Sequence, residues 1–356
     1  MEAAASDAPP SDDPGAAPRS PGKAASPAPA PSALHWPELD LNTEPLQGAR
    51  WAAAPRDRLR ALIVTQISAF ARRPYLADEA GAVASLAAGL EHSLADDFCW
   101  SLCFLPAFVL RLCREGFLPI CSEIAGGSGL YVLLPKLHAQ RCVLDLDALR
   151  VQRSTRRRAR AYTLTLNHAF RAVAEGCVEQ HGENWLYPPM RGALWALFEA
   201  RGERRGGPWP LTVAASVELW DAEGNLVAGE LGCINGACYT SFTGFHRVPN
   251  TGVLQLAATG RLLQAAGMAL WDLGQDFPYK RQLGARLVPR VEFLERLRGA
   301  RDTRTELHAR LAEGEPGLGP LNALEVIMGR LDGGPGPGAG DSGPASPMAG
   351  GGGARA

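Results

Sequence analysis

Six arginines fall within eleven residues: Arg150, Arg153, Arg156, Arg157, Arg158 and Arg160. Guanidinium groups packed this densely can follow a line of phosphates and stack on unpaired bases. A solvated helix start with no partner is the competing reading. Further along, the apolar run Met268-Ala-Leu-Trp ends on Asp272. A carboxylate at the end of a buried strand, beside a cleft, can hold an ammonium group, accept its proton or orient it; a helix N-cap or a structural hydrogen bond needs the same residue type. Trp185, Leu186, Tyr187, Phe242 and Phe245 lie near the proposed strand ends and can either enclose an apolar side chain or pack as ordinary core. The stretch Gly126-Gly-Ser-Gly129 is no phosphate loop, because no Gly-Lys-Ser/Thr follows and the next segment reads as a strand. His246 reads as a surface histidine, and Asn250-Thr-Gly252 as the start of a helix, where an anion or simple capping fits equally.

The chain that must position these groups has 356 residues, a formal net charge of -1 and 46% hydrophobic residues. That near balance excludes a wholly basic nucleic-acid coat while leaving room for a local patch. The 40 Gly and 28 Pro collect at the ends, in 1–32 and 333–356, where too little apolar surface exists to offset backbone entropy, so both ends are expected to be disordered. No apolar run approaches the ~20 residues of a spanning helix, and no secretory or transit pattern opens the sequence, so a cytoplasmic protein with no membrane contact is expected. Eight cysteines stand singly with no C-x-x-C pair, which suits buried thiols better than disulfides or zinc. No metal and no cofactor is expected.

Ordered sequence is expected from about residues 34–51 to about Arg301. Helical spacing runs over 57–71 and 102–114, and two apolar runs on either side of Gly126–Gly129 predict a hairpin. Then come a strand at 162–166, helices at 168–180 and 190–200, and three strands at 216–220, 226–231 and 237–241. The last two are joined by Asn235-Gly236, so the three form an antiparallel meander. An amphipathic helix over 253–266 follows, then strands at 268–272 and 285–288 with a helical turn between them at 279–282, and a helix over 290–297. A helix-like stretch spans 321–331. A meander followed by helix and strand is an α/β layer in which neighbouring strands can diverge and open a cleft beside Asp272.

Taken in order, Glu115-Gly-Phe-Leu-Pro119, Arg153-Ser154 with its basic run, Asn184-Trp-Leu-Tyr-Pro-Pro-Met190, Ser216-Val-Glu-Leu-Trp220 with Leu226-Val-Ala-Gly229, Phe245-His-Arg247, Leu270-Trp-Asp272, Leu283-Gly-Ala285 and Val288-Pro-Arg290 resemble the leucyl/phenylalanyl-tRNA-protein transferases. The resemblance covers roughly 111–297 and marks a divergent, eukaryotic-type member. It implies an α/β fold of α+β type: a GNAT-like acyltransferase domain with an antiparallel meander and splayed strands, behind a smaller α/β N-terminal domain. The implied division is a tail at 1–47, an N-terminal domain at 48–148, the transferase domain at 149–301, a helical extension at 302–332 and a Gly-rich tail at 333–356.

The implied activity moves a leucyl or phenylalanyl group from aminoacyl-tRNA to the N-terminal amine of an acceptor protein, feeding N-terminal-residue-dependent degradation, by a monomer. Implied roles are Asp272 and Gln275 at the amine, Trp185, Phe242, Thr243, Gly244 and Phe245 around the aminoacyl side chain, and Arg153, Arg156, Arg157, Arg158 and Arg160 on the tRNA. Two departures matter. The family's Gln two positions past the Asp is here Gly274, so Gln275 takes its place only if Gly274 forms a bulge. The family's acidic residue before Phe-x-Arg is here Phe242, which puts a preference for basic acceptor N-termini in question. The alternatives are a non-catalytic binder of tRNA ends or protein N-termini, and an acetyl-CoA-dependent N-acetyltransferase, whose Gly-rich pyrophosphate loop is out of register in Arg247-Val-Pro-Asn-Thr-Gly-Val253.

Overall fold

A computed structural model describes residues 51, 54–93, 99–200, 210–313 and 317–330; both low-complexity tails lie outside them. In chain order the elements are α1 (Arg56–Gln66), α2 (Ala82–Leu90), α3 (Pro106–Arg114), β1 (Leu118–Glu123), β2 (Tyr131–Lys136), β3 (Gln140–Leu144), α4 (Arg153–Arg158), β4 (Thr163–Leu166), α5 (Phe170–His181), α6 (Pro188–Glu199), β5 (Thr212–Trp220), β6 (Leu226–Asn235), β7 (Cys238–His246), α7 (Thr251–Ala265), β8 (Leu270–Gly274), α8 (Pro278–Gln282), β9 (Arg286–Pro289), α9 (Arg290–Ala300), α10 (Glu306–Glu313), β10 (Leu318–Asn322) and α11 (Ala323–Ile327). Eight strands form one mixed sheet in the order β10-β4-β5-β6-β7-β8-β3-β9, and β1 and β2 pair separately as the expected hairpin. The class is α/β.

Alternation of side chains along β5, β6 and β7 sends one set to each face, and helices cover both. On one face Leu254, Ala257, Ala258 and Leu262 of α7 pack with Val213, Val217, Tyr239 and Trp271. On the other, Phe170, Val173, Cys177, Met190 and Leu194 of α5 and α6 join Ala214, Leu231, Cys233 and Phe245. The eight cysteines are buried and free, as their single spacing predicts. Prolines open α3, α6 and α8, where a missing N–H has no cost.

The meander is present with one shift. Asn235 pairs with Cys238, so the turn centres on Gly236 and Ala237 rather than on Asn-Gly. Gly236 takes φ +57°, and a Cβ there would fall 2.4 Å from the Arg301 backbone, while Asn235 spends its amide on the carbonyls of Cys113 and Arg114. Order also runs past Arg301. The stretch read as helical carries β10, which pairs with β4, and α11, whose Val326 and Ala323 are buried under α7. Toward the N-terminal side, β3 ends before residue 149 yet lies inside the large sheet between β8 and β9.

Candidate active site

All neighbouring strands of the sheet are antiparallel except β7 and β8, which run parallel for three pairs, Cys238 with Leu270 through Thr240 with Asp272. Beyond that point no pair joins them. Each carries a bulge just past the last pair: Phe242 is extra in β7, between the pairs Gly232–Ser241 and Leu231–Thr243, and Leu273 is extra in β8, between Val143–Asp272 and Cys142–Gly274. An unpaired residue bends its strand and increases local twist, and both bulges fall where the β7–β8 pairing stops. Of the residues expected to do chemistry, Asp272, Gln275, Phe242 and Thr243 lie at or just past these bulges.

Asp272 does not face an opening. It is fully buried, and Arg141 of β3 donates to both its oxygens, from Nε at 2.7 Å and Nη2 at 2.8 Å. The guanidinium lies 4.6 Å from the Phe293 ring centroid and donates also to Gly116 O at 3.1 Å. Gly116, from the motif Glu115-Gly-Phe-Leu-Pro119, takes φ +87°, and a Cβ there would strike Leu297 at 2.8 Å. This corrects the expectation of a carboxylate on a cleft floor. Both oxygens are committed to a charged fork, and an isolated carboxylate in that interior would be costly to ionise. The remaining reach of Asp272 is toward its own strand: Oδ1 accepts from Gly274 N at 2.9 Å.

That bond shapes the next residue. Gly274 has φ +71°, a left-handed conformation natural to glycine, but it pairs with Cys142, and the extra residue of β8 is Leu273 rather than the Gly274 that Gln275 required. Gln275 is exposed at the strand end, and its side chain has no hydrogen bond among the described residues; its carbonyl accepts from Lys280 Nζ at 2.9 Å.

Trp185 and Phe242 meet as an edge-to-face pair, centroids 6.1 Å apart at 81°, and both are half-buried. The loop holding Trp185 is tied by Arg191, which donates to Leu186 O at 2.6 Å and Glu183 Oε1 at 2.7 Å. Thr243 and Gly244 are held against α5, Thr243 through the Cys177 thiol and Gly244 O by His181 Nε2 at 2.9 Å. Phe245 corrects another expectation. It is buried and occupies the space left by Gly176 and Gly229, where any added Cβ would lie within 3 Å of its ring, so it is core rather than a pocket wall.

On the α7 side of the same sheet lies a buried polar group around Glu230, a residue outside the motifs set out above. Tyr239 donates to Glu230 Oε1 at 3.0 Å, Ser241 also bonds to Glu230, and Trp271 Nε1 donates to Ser241 Oγ at 2.9 Å. Burial pushes the Glu230 carboxyl up to about 7. Lys280, mostly buried, donates to Leu273 O at 2.6 Å and sits 4.7 Å over the Phe277 ring, and its ammonium is held below its ordinary range by desolvation. Arg141, Glu230 and Lys280 each interrupt an otherwise apolar or turn segment. A charge inside a strand run was the available signal.

The basic run forms α4, a single turn and a half beside the first turns of α7 and the end of α8. All six guanidinium groups are exposed, and none has a hydrogen bond or ion pair among the described residues. Elsewhere the arginines are mostly spent internally: Arg247 on Glu179 and Leu226 O, Arg298 on Glu91, Arg301 on Glu115. The other motifs are structural too. Glu218 accepts from Thr165, Ser216, His168 N and Ala169 N, which clamps β4 to β5 and the start of α5. Gly284 lets its turn approach Ala148 O, which a Cβ would meet at 2.2 Å.

The fold and site define an α/β protein whose β7–β8 pairing stops beside Asp272 and which carries an exposed arginine run. The sequence profile of the leucyl/phenylalanyl-tRNA protein transferase family matches residues 143–298, from β3 into α9. Similar proteins include the leucyl/phenylalanyl-tRNA–protein transferase of Rubrobacter xylanophilus, 30% identical over 194 residues that cover 54% of this chain and 92% of that protein. Those of Nitratidesulfovibrio vulgaris and Edwardsiella ictaluri are each 34% identical over 45% of this chain, covering 66% and 63% of their own lengths. The chain belongs to the leucyl/phenylalanyl-tRNA–protein transferase family. Among the described residues, no helix is long and apolar enough to cross a membrane.

Proposed function

We propose that the chain transfers a leucyl or phenylalanyl group from aminoacyl-tRNA to the N-terminal α-amine of an acceptor protein. The observation that carries this reading is the set of six unpaired arginines inside the family-matched stretch, since a chain that neutralises most of its other arginines has left these for an outside polyanion. On this reading the tRNA end follows α4 toward the gap between β7 and β8, and Trp185 with Phe242 receives the aminoacyl side chain. The parallel β7-α7-β8 unit with its parting strands is read as GNAT-like, and the protein as a cytoplasmic monomer.

The chemistry is ester aminolysis. The amine nitrogen bonds to the ester carbonyl carbon, the bond from that carbon to the ribose oxygen breaks, and the proton lost by nitrogen ends on the freed tRNA hydroxyl. The ester is already activated, and an α-amine with pKa near ~8 is partly neutral at pH 7. Positioning can then supply ~7–11 kcal/mol, more than the factor of ~10² to 10⁴ expected of one general base. Asp272 acts here as a positioning residue: through Gly274 N it fixes the bulge that presents Gln275, and Gln275 orients the amine. With Phe242 in place of an acid, acceptors with uncharged N-terminal residues should be used at least as well as basic ones.

The test is transfer of labelled leucine and phenylalanine from their tRNAs to peptides of varied N-terminus. Label on any peptide, lost in Gln275→Ala, is expected. No transfer with tight tRNA binding would instead make the chain a binder.

A further inference from the structure

Upstream of the family-matched stretch, residues 56–73 carry Arg56, Arg58, Arg60, Arg72 and Arg73 against one carboxylate, Asp57. Between α1 and the turn at Ser68–Arg72 lies a cavity of about 430 Å³, within the ~300–1,000 Å³ of small-ligand sites. Its walls are aromatic. Phe70 and Tyr75 stand edge-on to Trp100 at 4.9 and 4.8 Å, and Trp100, almost wholly buried, is fixed by its indole N–H on Phe70 O at 3.1 Å. The Arg60 guanidinium lies 4.3 Å over the Tyr75 ring, and Arg73 also lines the cavity. Neither Arg60 nor Asp57 has a hydrogen bond or ion pair among the described residues.

We propose that this cavity takes one unpaired ribonucleotide of the RNA substrate. The base enters beside Phe70 and Tyr75, because a ring with a guanidinium already stacked on it is a sequence-tolerant platform for another flat π-system. The phosphate meets Arg60 and Arg73. Asp57, unable to donate when ionised, accepts from an exocyclic amine, so adenine and cytosine are favoured over uracil. Arg58, Arg60 and Arg72, with no hydrogen bond or ion pair among the described residues, outnumber Asp57 and favour a polyanion over a basic peptide, and a peptide ligand is an outcome the test can return. The RNA origin of the nucleotide rests on the proposed transferase reading; the site itself does not.

The experiment titrates the full chain with AMP, CMP and UMP, following aromatic side-chain resonances by NMR at low and raised salt. Expected are saturable shifts at Tyr75 and Trp100, AMP and CMP binding at least about fivefold tighter than UMP, the low end of what one good base contact gives, and weakening with salt. Asp57→Asn should level the three nucleotides. In Arg60→Glu with Arg73→Glu, tRNA affinity should fall roughly tenfold or more at moderate salt, while transfer at saturating aminoacyl-tRNA persists. Absence of any nucleotide shift in the unaltered chain overturns the proposal without reference to whether a variant folds. So does unchanged tRNA affinity in the folded double variant, or displacement of nucleotide by a neutral peptide. Nucleotide binding without aminoacyl transfer would sink the transferase reading and leave this site standing.

Discussion

At the scale of single residues, Asp272 and Glu230 are two buried carboxylates of one sheet with opposite electrostatics. Asp272 has a full charge partner in Arg141, and removing one member leaves the other buried and uncompensated. Asp272→Asn is expected to lower stability by about 3–5 kcal/mol, measured by urea unfolding, whereas Arg141→Met combined with Asp272→Leu should cost less than the single change. An unaltered midpoint in Asp272→Asn would contradict the buried pair. Glu230 has no such partner in contact, and burial raises its pKa from 4.5 to about 7. A group raised on folding contributes stability that is fully present below its unfolded pKa and is lost as pH climbs through the folded one. Unfolding free energy should therefore decline between about pH 4.5 and 7 by roughly 3 kcal/mol. Glu230→Gln should flatten that slope and be the more stable form at pH 8; a slope of equal size in the variant would assign it elsewhere.

At the scale of elements, the two bulges lie where the pairing of β7 and β8 stops, and the glycine next to one of them can be tested. Gly274→Ala meets only ordinary contacts, with Leu118 at 3.5 Å, so its cost comes from φ +71° and should be about 1–2 kcal/mol in thermal unfolding. Gly274→Val should cost more and Gly274→Asn less, since asparagine tolerates the left-handed region. An equal cost for all three would point to a steric cause instead. This is also where sequence reading reached its limit. The meander, α5, α6, α7 and the hairpin were legible from period and turn residues, because each is a local pattern. The need for a bulge after Asp272 was legible, though it falls at Leu273 and not at Gly274, whereas the bulge at Phe242 was not, as nothing in Ser241-Phe-Thr-Gly244 marks an extra residue. Asp272 was placed on the right strand and given the wrong surroundings. Its partner Arg141 lies 131 residues away, on a strand that sequence order assigns to another domain. The role of Phe245 as core was hidden for the same reason, since it depends on two glycines, at 176 and 229, on different elements.

At the scale of the whole molecule, a net charge of -1 conceals a division of labour among cations. Arg141, Arg191, Arg247 and Arg301 are paired with acids of the chain itself, while the α4 group faces solvent with no acidic partner among the described residues. A polyanion bound there releases condensed counterions, so log Kd for tRNA should rise linearly with log salt, with a slope of about 0.7–0.9 for each phosphate engaged. Replacing Arg156, Arg157 and Arg158 together with Ala should reduce that slope by about two to three, while the melting temperature stays unchanged, because none of these side chains holds a fold contact. The same substitution at Arg141 or Arg191 should do the reverse, lowering stability and leaving the salt slope of whatever remains folded intact. If instead the α4 variant binds tRNA with an undiminished slope, the phosphates lie elsewhere on the molecule, and the arginines of α4 are a solvated helix start and nothing more.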